Sequence, residues 1–265
     1  MNKASPIGVI DSGVGGLTVL KWLIEFMPSE DFIFIGDTAR APYGNRSQEE
    51  IIEFVSDMMA YLYRRGVKQV VIACNTITAL GGKIIQGDYP CSIVGMSKGE
   101  RLILATTKNK RVGVMATDFT VRSKIHAIAL HAIDSDVQVI AQGCPKLVLL
   151  VEKQEKETSV ISETIHQYIK PLAVAGVDTV ILSCTHFPFF RKEIEECLGS
   201  GVTVIDPAEE TARLAKETLE EKKLLHGGKK GRVEICFTQN MELGKSIARQ
   251  MISVDECVFR EVSLV

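Results

Sequence analysis

Short, almost continuously apolar runs alternate with longer amphipathic stretches along the chain. The runs lie at residues 7–10, 32–35, 69–73, 92–95, 111–115, 137–141, 179–182, 202–205 and 233–237. Between them, residues 15–26, 47–65, 120–132, 157–175, 188–198, 209–223 and 241–252 read as amphipathic helices. Apolar β-branched runs that do not alternate with polar residues suit strands buried on both faces, and intervening helices suit parallel crossovers. The predicted class is therefore α/β, with mainly parallel sheets flanked by helices.

The pattern also repeats. Val70-Val71-Ile72-Ala73-Cys74-Asn75-Thr76 resembles Val180-Ile181-Leu182-Ser183-Cys184-Thr185-His186, 110 positions later. Ile93-Val94-Gly95 resembles Thr203-Val204-Ile205 at the same offset, and Ile7–Asp11 resembles Arg111–Met115 at an offset of 105 when Gly8 is set on Gly113. One such match between apolar strands is unremarkable, but three in order predict two duplicated, pseudo-symmetric α/β domains. The expected division is 1–97 plus 207–265 for the first domain, which carries Cys74, and 98–206 for the second, which carries Cys184. On this division the tail returns to complete the first domain, and its Gly227–Gly231 segment reads as a solvated turn.

Composition narrows the function classes. The 265 residues are 46% hydrophobic and 24% charged, with a net charge of −2. That balance excludes a mainly disordered chain and gives no overall bias toward nucleic acid or an acidic membrane surface. The apolar start at residues 7–10 is too short for a signal-peptide core, and no run reaches the roughly 18 apolar residues of a membrane span. Seven cysteines with no C-x-x-C spacing predict free thiols in a reducing compartment, hence a cytoplasmic protein.

The chemistry concentrates at strand ends, where parallel α/β sheets bind ligands. Cys74 and Cys184 each end an apolar strand and are followed by polar residues. Disulfide exchange would close the cleft between two such thiols. A metal site needs more ligands than the dispersed histidines supply, and none is expected. Nucleophilic catalysis needs one thiol with a base. Inverting a stereocentre uses two acid/base groups on opposite faces, which a duplicated fold supplies. Asp11-Ser12-Gly13-Val14-Gly15-Gly16 opens the first helix and suits a carboxylate at backbone N–H groups. It departs from the dinucleotide fingerprint at Thr18, so no cofactor is expected. The turn of residues 36–44, Thr117, Thr120, Asn75, Thr76 and Thr185 add polar groups suited to an amino acid.

Asp-Ser-Gly-Val-Gly-Gly (11–16), Gly-Asp-Thr-Ala-Arg-x-Pro-Tyr-Gly (36–44), Cys-Asn-Thr (74–76) and Cys-Thr-His-x-Pro (184–188) together resemble the aspartate/glutamate racemase family, its glutamate branch in particular, over essentially the whole chain. The resemblance implies a cofactor-independent racemase of L- and D-glutamate that supplies peptidoglycan synthesis, with its site in the cleft between the two domains. It implies Cys74 as the base toward the D-enantiomer and Cys184 toward the L-enantiomer, assisted by Asp11 and His186. Ser12, Tyr43, Gly44, Asn75, Thr76, Thr117 and Thr185 match substrate-holding positions. The expected partner is the small-molecule substrate, with a homodimer as the candidate assembly and neither nucleic acid nor membrane. The chain departs from the family pattern at Met96–Arg101, Ile77, Gln154 and Phe187. Alternatives are a racemase of aspartate or another acidic amino acid, a non-catalytic amino-acid-binding protein, and, less favoured for want of C-x-x-C, a thiol oxidoreductase.

Overall fold

The computed structural model describes residues 2–81, 89–253 and 257–264. Two compact units emerge, Met1–Met96 with Ala208–Val265, and Ser97–Pro207. The first unit begins with β1 (Ile7–Asp11), α1 (Leu17–Phe26), β2 (Phe32–Gly36), α2 (Gln48–Arg64), β3 (Gln69–Ile72), α3 (Asn75–Ala79) and β4 (Ser92–Val94). The second unit holds α4 (Glu100–Thr106), β5 (Arg111–Ala116), α5 (Asp118–Ser123), α6 (Ile125–His131), β6 (Gln138–Gly143), α7 (Pro145–Glu152), α8 (Thr158–Val174), β7 (Thr179–Ser183), α9 (Arg191–Leu198) and β8 (Thr203–Ile205). The chain then returns to the first unit with α10 (Ala208–Glu221), β9 (Val233–Phe237), α11 (Met241–Ala248) and β10 (Cys257–Glu261).

The first sheet has the order β10-β9-β2-β1-β3-β4 and the second β6-β5-β7-β8, with every pairing parallel. All residues of β1, β2, β3 and β7 are buried, which accounts for their unbroken apolar sequence. Helix starts are specified locally. Ser47 accepts from the Glu50 backbone N–H while the Glu50 side chain accepts from the Ser47 N–H, a reciprocal cap for α2.

The sequence repeat has a structural counterpart. The order β2-β1-β3-β4 in the first unit is matched by β6-β5-β7-β8 in the second. Gly8 pairs with Val70 and Gly113 with Val180, so the two offsets read from the sequence hold in the strand register. Helices α2 and α8 have 17 residues each and begin 110 positions apart. A β-carbon on Gly8 would lie 2.6 Å from Leu62 of α2, and one on Gly113 would lie 3.4 Å from Leu172 of α8. Leu62 and Leu172 are again 110 apart, so each glycine admits the same helix onto the same strand.

Some elements differ from expectation. The helix expected at 120–132 is broken at Lys124, whose φ of 55° ends α5 and starts α6. Residues 188–198 divide into a 3-10 turn, Phe187–Phe190, and α9. Helix α11 stops at Ala248, short of 252. Helices α3, α4 and α7 and strand β10 were not anticipated. Among the described residues no helix is long and apolar enough to cross a membrane.

Candidate active site

In the first unit, β1, β2 and β3 end side by side. Asp11 pairs with Gly36, the Asp37 N–H donates to the Asp11 carbonyl at 3.0 Å, and the Ala73 N–H donates to the Ile10 carbonyl at 2.8 Å. The polar residues that follow are thereby gathered at the sheet's carboxyl edge. The Asp11 carboxylate is fully buried and accepts the Gly16 N–H at 2.7 Å and the Gly13 N–H at 3.4 Å, which fixes the glycine turn ahead of α1. A β-carbon on Gly16 would lie 2.6 Å from the Asp11 β-carbon and 2.9 Å from the Phe34 ring, so glycine is needed there for close approach.

Ser12 follows Asp11, and its hydroxyl accepts from the Cys74 thiol at 3.7 Å. Cys74 stands at the cap position of α3, with Asn75 and Thr76 as the first helical residues, all buried. Tyr43 and Gly44 sit in the 3-10 turn Tyr43–Asn45, which packs against α3. The Tyr43 hydroxyl donates to Asp37, and Asp37 also accepts from Arg40 Nε at 2.6 Å and from the Thr238 hydroxyl at 2.9 Å. Burial, followed by the negative charge of Asp37, raises the Tyr43 pKa far above its ordinary range, so the phenol stays protonated as a donor.

In the second unit, β5, β6 and β7 also end together, at Ala116, Gly143 and Ser183. Thr117 caps α5, accepting the Thr120 N–H at 3.3 Å, and the two threonine hydroxyls lie 3.1 Å apart. Cys184, Thr185 and His186 follow β7 and are buried. Cys184 Sγ lies 3.8 Å from His186 Nδ1, and His186 Nε2 lies 2.7 Å from Glu152 Oε1 on α7. Burial opposes charge on this ring, but hydrogen bonds to Cys184 and Glu152 outweigh it and raise the His186 pKa well above its ordinary value. A charged His186 donates through both nitrogens, one N–H to the thiol sulfur and the other to the carboxylate.

A second layer supports this turn. His126 Nε2 lies 2.6 Å from the Ser183 hydroxyl and Nδ1 lies 3.3 Å from the Lys98 carbonyl. Burial pushes the His126 pKa down to about 4, so the ring is neutral at physiological pH. A carbonyl only accepts, so Nδ1 carries the proton and Nε2 accepts from Ser183. The residue next to Cys184 is thus tied to the start of the segment leading into α4.

All seven cysteines are free thiols. Burial raises the pKa of Cys144, and pushes that of Cys236 up to about 12. Among the described residues no group of three or more His, Cys, Asp or Glu is arranged to hold a metal ion. The sequence-predicted residues therefore form two groups, Asp11, Ser12, Tyr43, Gly44, Cys74, Asn75 and Thr76 in one unit and Thr117, Cys184, Thr185 and His186 in the other. Asp37 lies within the 36–44 motif without a role of its own in the sequence reading, and Glu152 and His126 were missed. Glu152 is 34 positions from His186, and no local spacing links them.

Residues 7–215 match the Asp/Glu/Hydantoin racemase family. A protein called glutamate racemase 2 from Caldanaerobacter subterraneus is 40% identical over 254 residues, covering 95% of each chain. The crystal structure of a glutamate racemase isoform from Bacillus anthracis superposes with a TM-score of 0.93 at 35% identity, covering 99% of this chain and 98% of that one. A glutamate racemase from Francisella tularensis, solved in complex with D-glutamate, gives a TM-score of 0.86 at 28% identity and covers 99% and 98% of the two chains.

Proposed function

This chain belongs to the Asp/Glu/Hydantoin racemase family, and from that membership we propose that it interconverts L- and D-glutamate without a cofactor, using Cys74 and Cys184 as paired acid/base groups. The observation that carries the reading is the placement of a buried thiol at the equivalent strand end of each unit, beside polar residues of different kinds. Cys74 meets a hydroxyl, Ser12, in a turn anchored by Asp11. Cys184 meets an imidazole, His186, backed by a carboxylate, Glu152.

The proposed reaction is a proton exchange at the α-carbon. Cys184 as thiolate removes the α-proton of L-glutamate, and the Cys74 thiol donates its proton to the opposite face, giving D-glutamate. In the reverse direction Cys74 is the base and Cys184 the acid. The difficult step is formation of the carbanion, whose charge spreads into the α-carboxylate. Donors around that carboxylate supply the stabilisation, since hydrogen-bond donors aimed at developing charge act strongly in a buried site. Ser12, Asn75, Thr76, Thr117 and Thr185 are the residues we assign to hold the substrate, with Tyr43 and Gly44. The charged His186 donates to the Cys184 sulfur and so supports its thiolate, and Glu152 holds the ring in the orientation that makes this possible. The proposal extends to a cytoplasmic enzyme supplying D-glutamate for peptidoglycan, assembled as a homodimer.

In D₂O each enantiomer of glutamate is expected to give the other with deuterium at the α-carbon, with no cofactor added. Cys74→Ala and Cys184→Ala are each expected to abolish this while leaving the far-ultraviolet circular dichroism unchanged. Full racemisation by either variant would overturn the two-thiol assignment, and inertness of the wild type toward both enantiomers would overturn the reaction.

A further inference from the structure

The two units fill one equivalent space differently. In the first unit Val9 of β1 pairs with Phe34 of β2, and in the second Val114 of β5 pairs with Ala141 of β6. The register therefore sets Ala141 where the first unit has Phe34, and Val139 where it has Phe32. Phe34 is fully buried, with its ring centroid 6.0 Å from that of Phe237. Ala141 is exposed, and β6 is an edge strand. The ring that fills the first unit is missing from the second, and a cavity of about 540 Å³ lies there, between β5 and β6 and the broken helix pair α5 and α6. That volume falls within the range of small-molecule sites, roughly 300–1,000 Å³.

The lining is apolar on the sheet side, from Val114, Val139 and Ala141, and on the helix side includes Ile128, which is 66% exposed. Its polar groups carry one bias. Lys124 is its cation, Thr120, His126 and His131 are its other polar residues, and none of the described lining residues is acidic. His131 Nε2 donates to the Val137 carbonyl at 2.9 Å, which fixes the ring against the edge of the cavity. Lys124 sits at the helix break, where its left-handed backbone ends α5 and begins α6. A cation beside an apolar, ring-sized space complements an anionic head on an aryl body.

We propose that this cavity is a binding site for a small aromatic carboxylate, its ring taking the place that Phe34 occupies in the first unit and its carboxylate meeting Lys124. The site lies outside the racemisation machinery and does not depend on it. Two of its walls nevertheless reach that machinery. Thr120 is 3.1 Å from the Thr117 hydroxyl, and His126 accepts from Ser183, the residue before Cys184. Occupancy thus has a short physical route to the catalytic turn.

Calorimetric titration of the full chain with 4-phenylbutyrate, in saturating D-glutamate, tests the proposal. One saturable site per chain is expected, lost in Ala141→Phe, which installs the ring of the first unit. Binding is expected to weaken at least tenfold in Lys124→Glu, and tenfold when the neutral 4-phenylbutyramide replaces the acid. If Ala141→Phe does not fold, Val139→Phe fills the same space. Absence of saturable heat with the wild type, unchanged binding in the folded cavity-filling variant, or displacement by D-glutamate would each overturn the proposal. So would a second copy of the chain on this face, seen as an oligomer that Ile128→Asp splits while no 4-phenylbutyrate binds.

Discussion

Replacing Glu152 by Gln tests the part of the site that the structure adds to the sequence motifs. His186 is 3% exposed at its side chain and Glu152 16%, and their 2.7 Å contact is little screened by water. A hydrogen bond involving an ionised group contributes about 1.5–3 kcal/mol, and a neutral one about 0.5–1.5. Gln keeps an acceptor oxygen but loses the charge, so the variant forfeits about 1–2 kcal/mol of support for the charged imidazole. The His186 pKa should fall toward its ordinary value. If the charged ring serves the rate-limiting proton transfer, kcat/KM drops by roughly fivefold to thirtyfold. The drop must be the same in both directions, because the two enantiomers of glutamate have equal free energy in water and fix the equilibrium constant at unity. Steady-state polarimetry starting from each enantiomer gives the rates, and nitrogen-15 NMR of labelled histidine gives the titration. A variant with wild-type kcat/KM and an unchanged His186 titration would refute the assignment of Glu152 as the positioning group.

Stability should depend on pH through the same ring. A pKa raised in the folded state contributes stability that is fully present below the unfolded value of about 6.5 and is lost as pH rises through the folded value. His186→Gln should therefore lower Tm more at about pH 6 than above the folded value, as differential scanning calorimetry across the range would show. At the opposite end of the first unit, Lys68 Nζ lies 2.5 Å from Glu30 Oε2 and 3.1 Å from the Leu224 carbonyl, with both side chains almost wholly buried. Lys68→Met leaves the carboxylate unpaired and should destabilise by about 3–5 kcal/mol in urea unfolding, with part recovered by adding Glu30→Gln. Gly16→Ala forces a methyl against Asp11 and Phe34. It should cost about 1–3 kcal/mol and lower racemase activity by displacing the turn that carries Ser12.

Much of the fold was legible because burial on both faces leaves a plain mark. The strands from β1 to β3, with β5 and β7, are short apolar runs rich in β-branched residues, which favours strand over buried helix, and the Gly8 and Gly113 positions betray the repeat. Strand β10 left no such mark. Its sequence, Cys257–Glu261, is only three apolar residues followed by Arg260 and Glu261 at the sheet edge, with only partial burial. The break at Lys124 was hidden because the apolar period continues across it, and only the left-handed backbone of that residue interrupts the helix. The turns bearing Cys74 and Cys184 were visible as motifs because their residues are adjacent in sequence. Glu152 and His126 reach the site from other helices, so their roles arise only from the packing of α7 and α6 against β7 and its turn.

The return of the chain to its first unit has a consequence for synthesis. Strand β2 is paired on one side by β1, 25 residues away at Ile7 and Phe32, and on the other by β9, where Phe32 meets Val233. As the chain leaves the ribosome, the edge of β2 that carries Phe32 and Phe34 stays open until Val233–Phe237 has emerged. Every pairing partner within the second sheet, by contrast, lies between Arg111 and Ile205. That sheet can be assembled while the first still waits for its last two strands. The exposed, aromatic edge of β2 is then the segment most open to mispairing with other nascent chains, and the closing of β9 against it is the late event that removes the hazard.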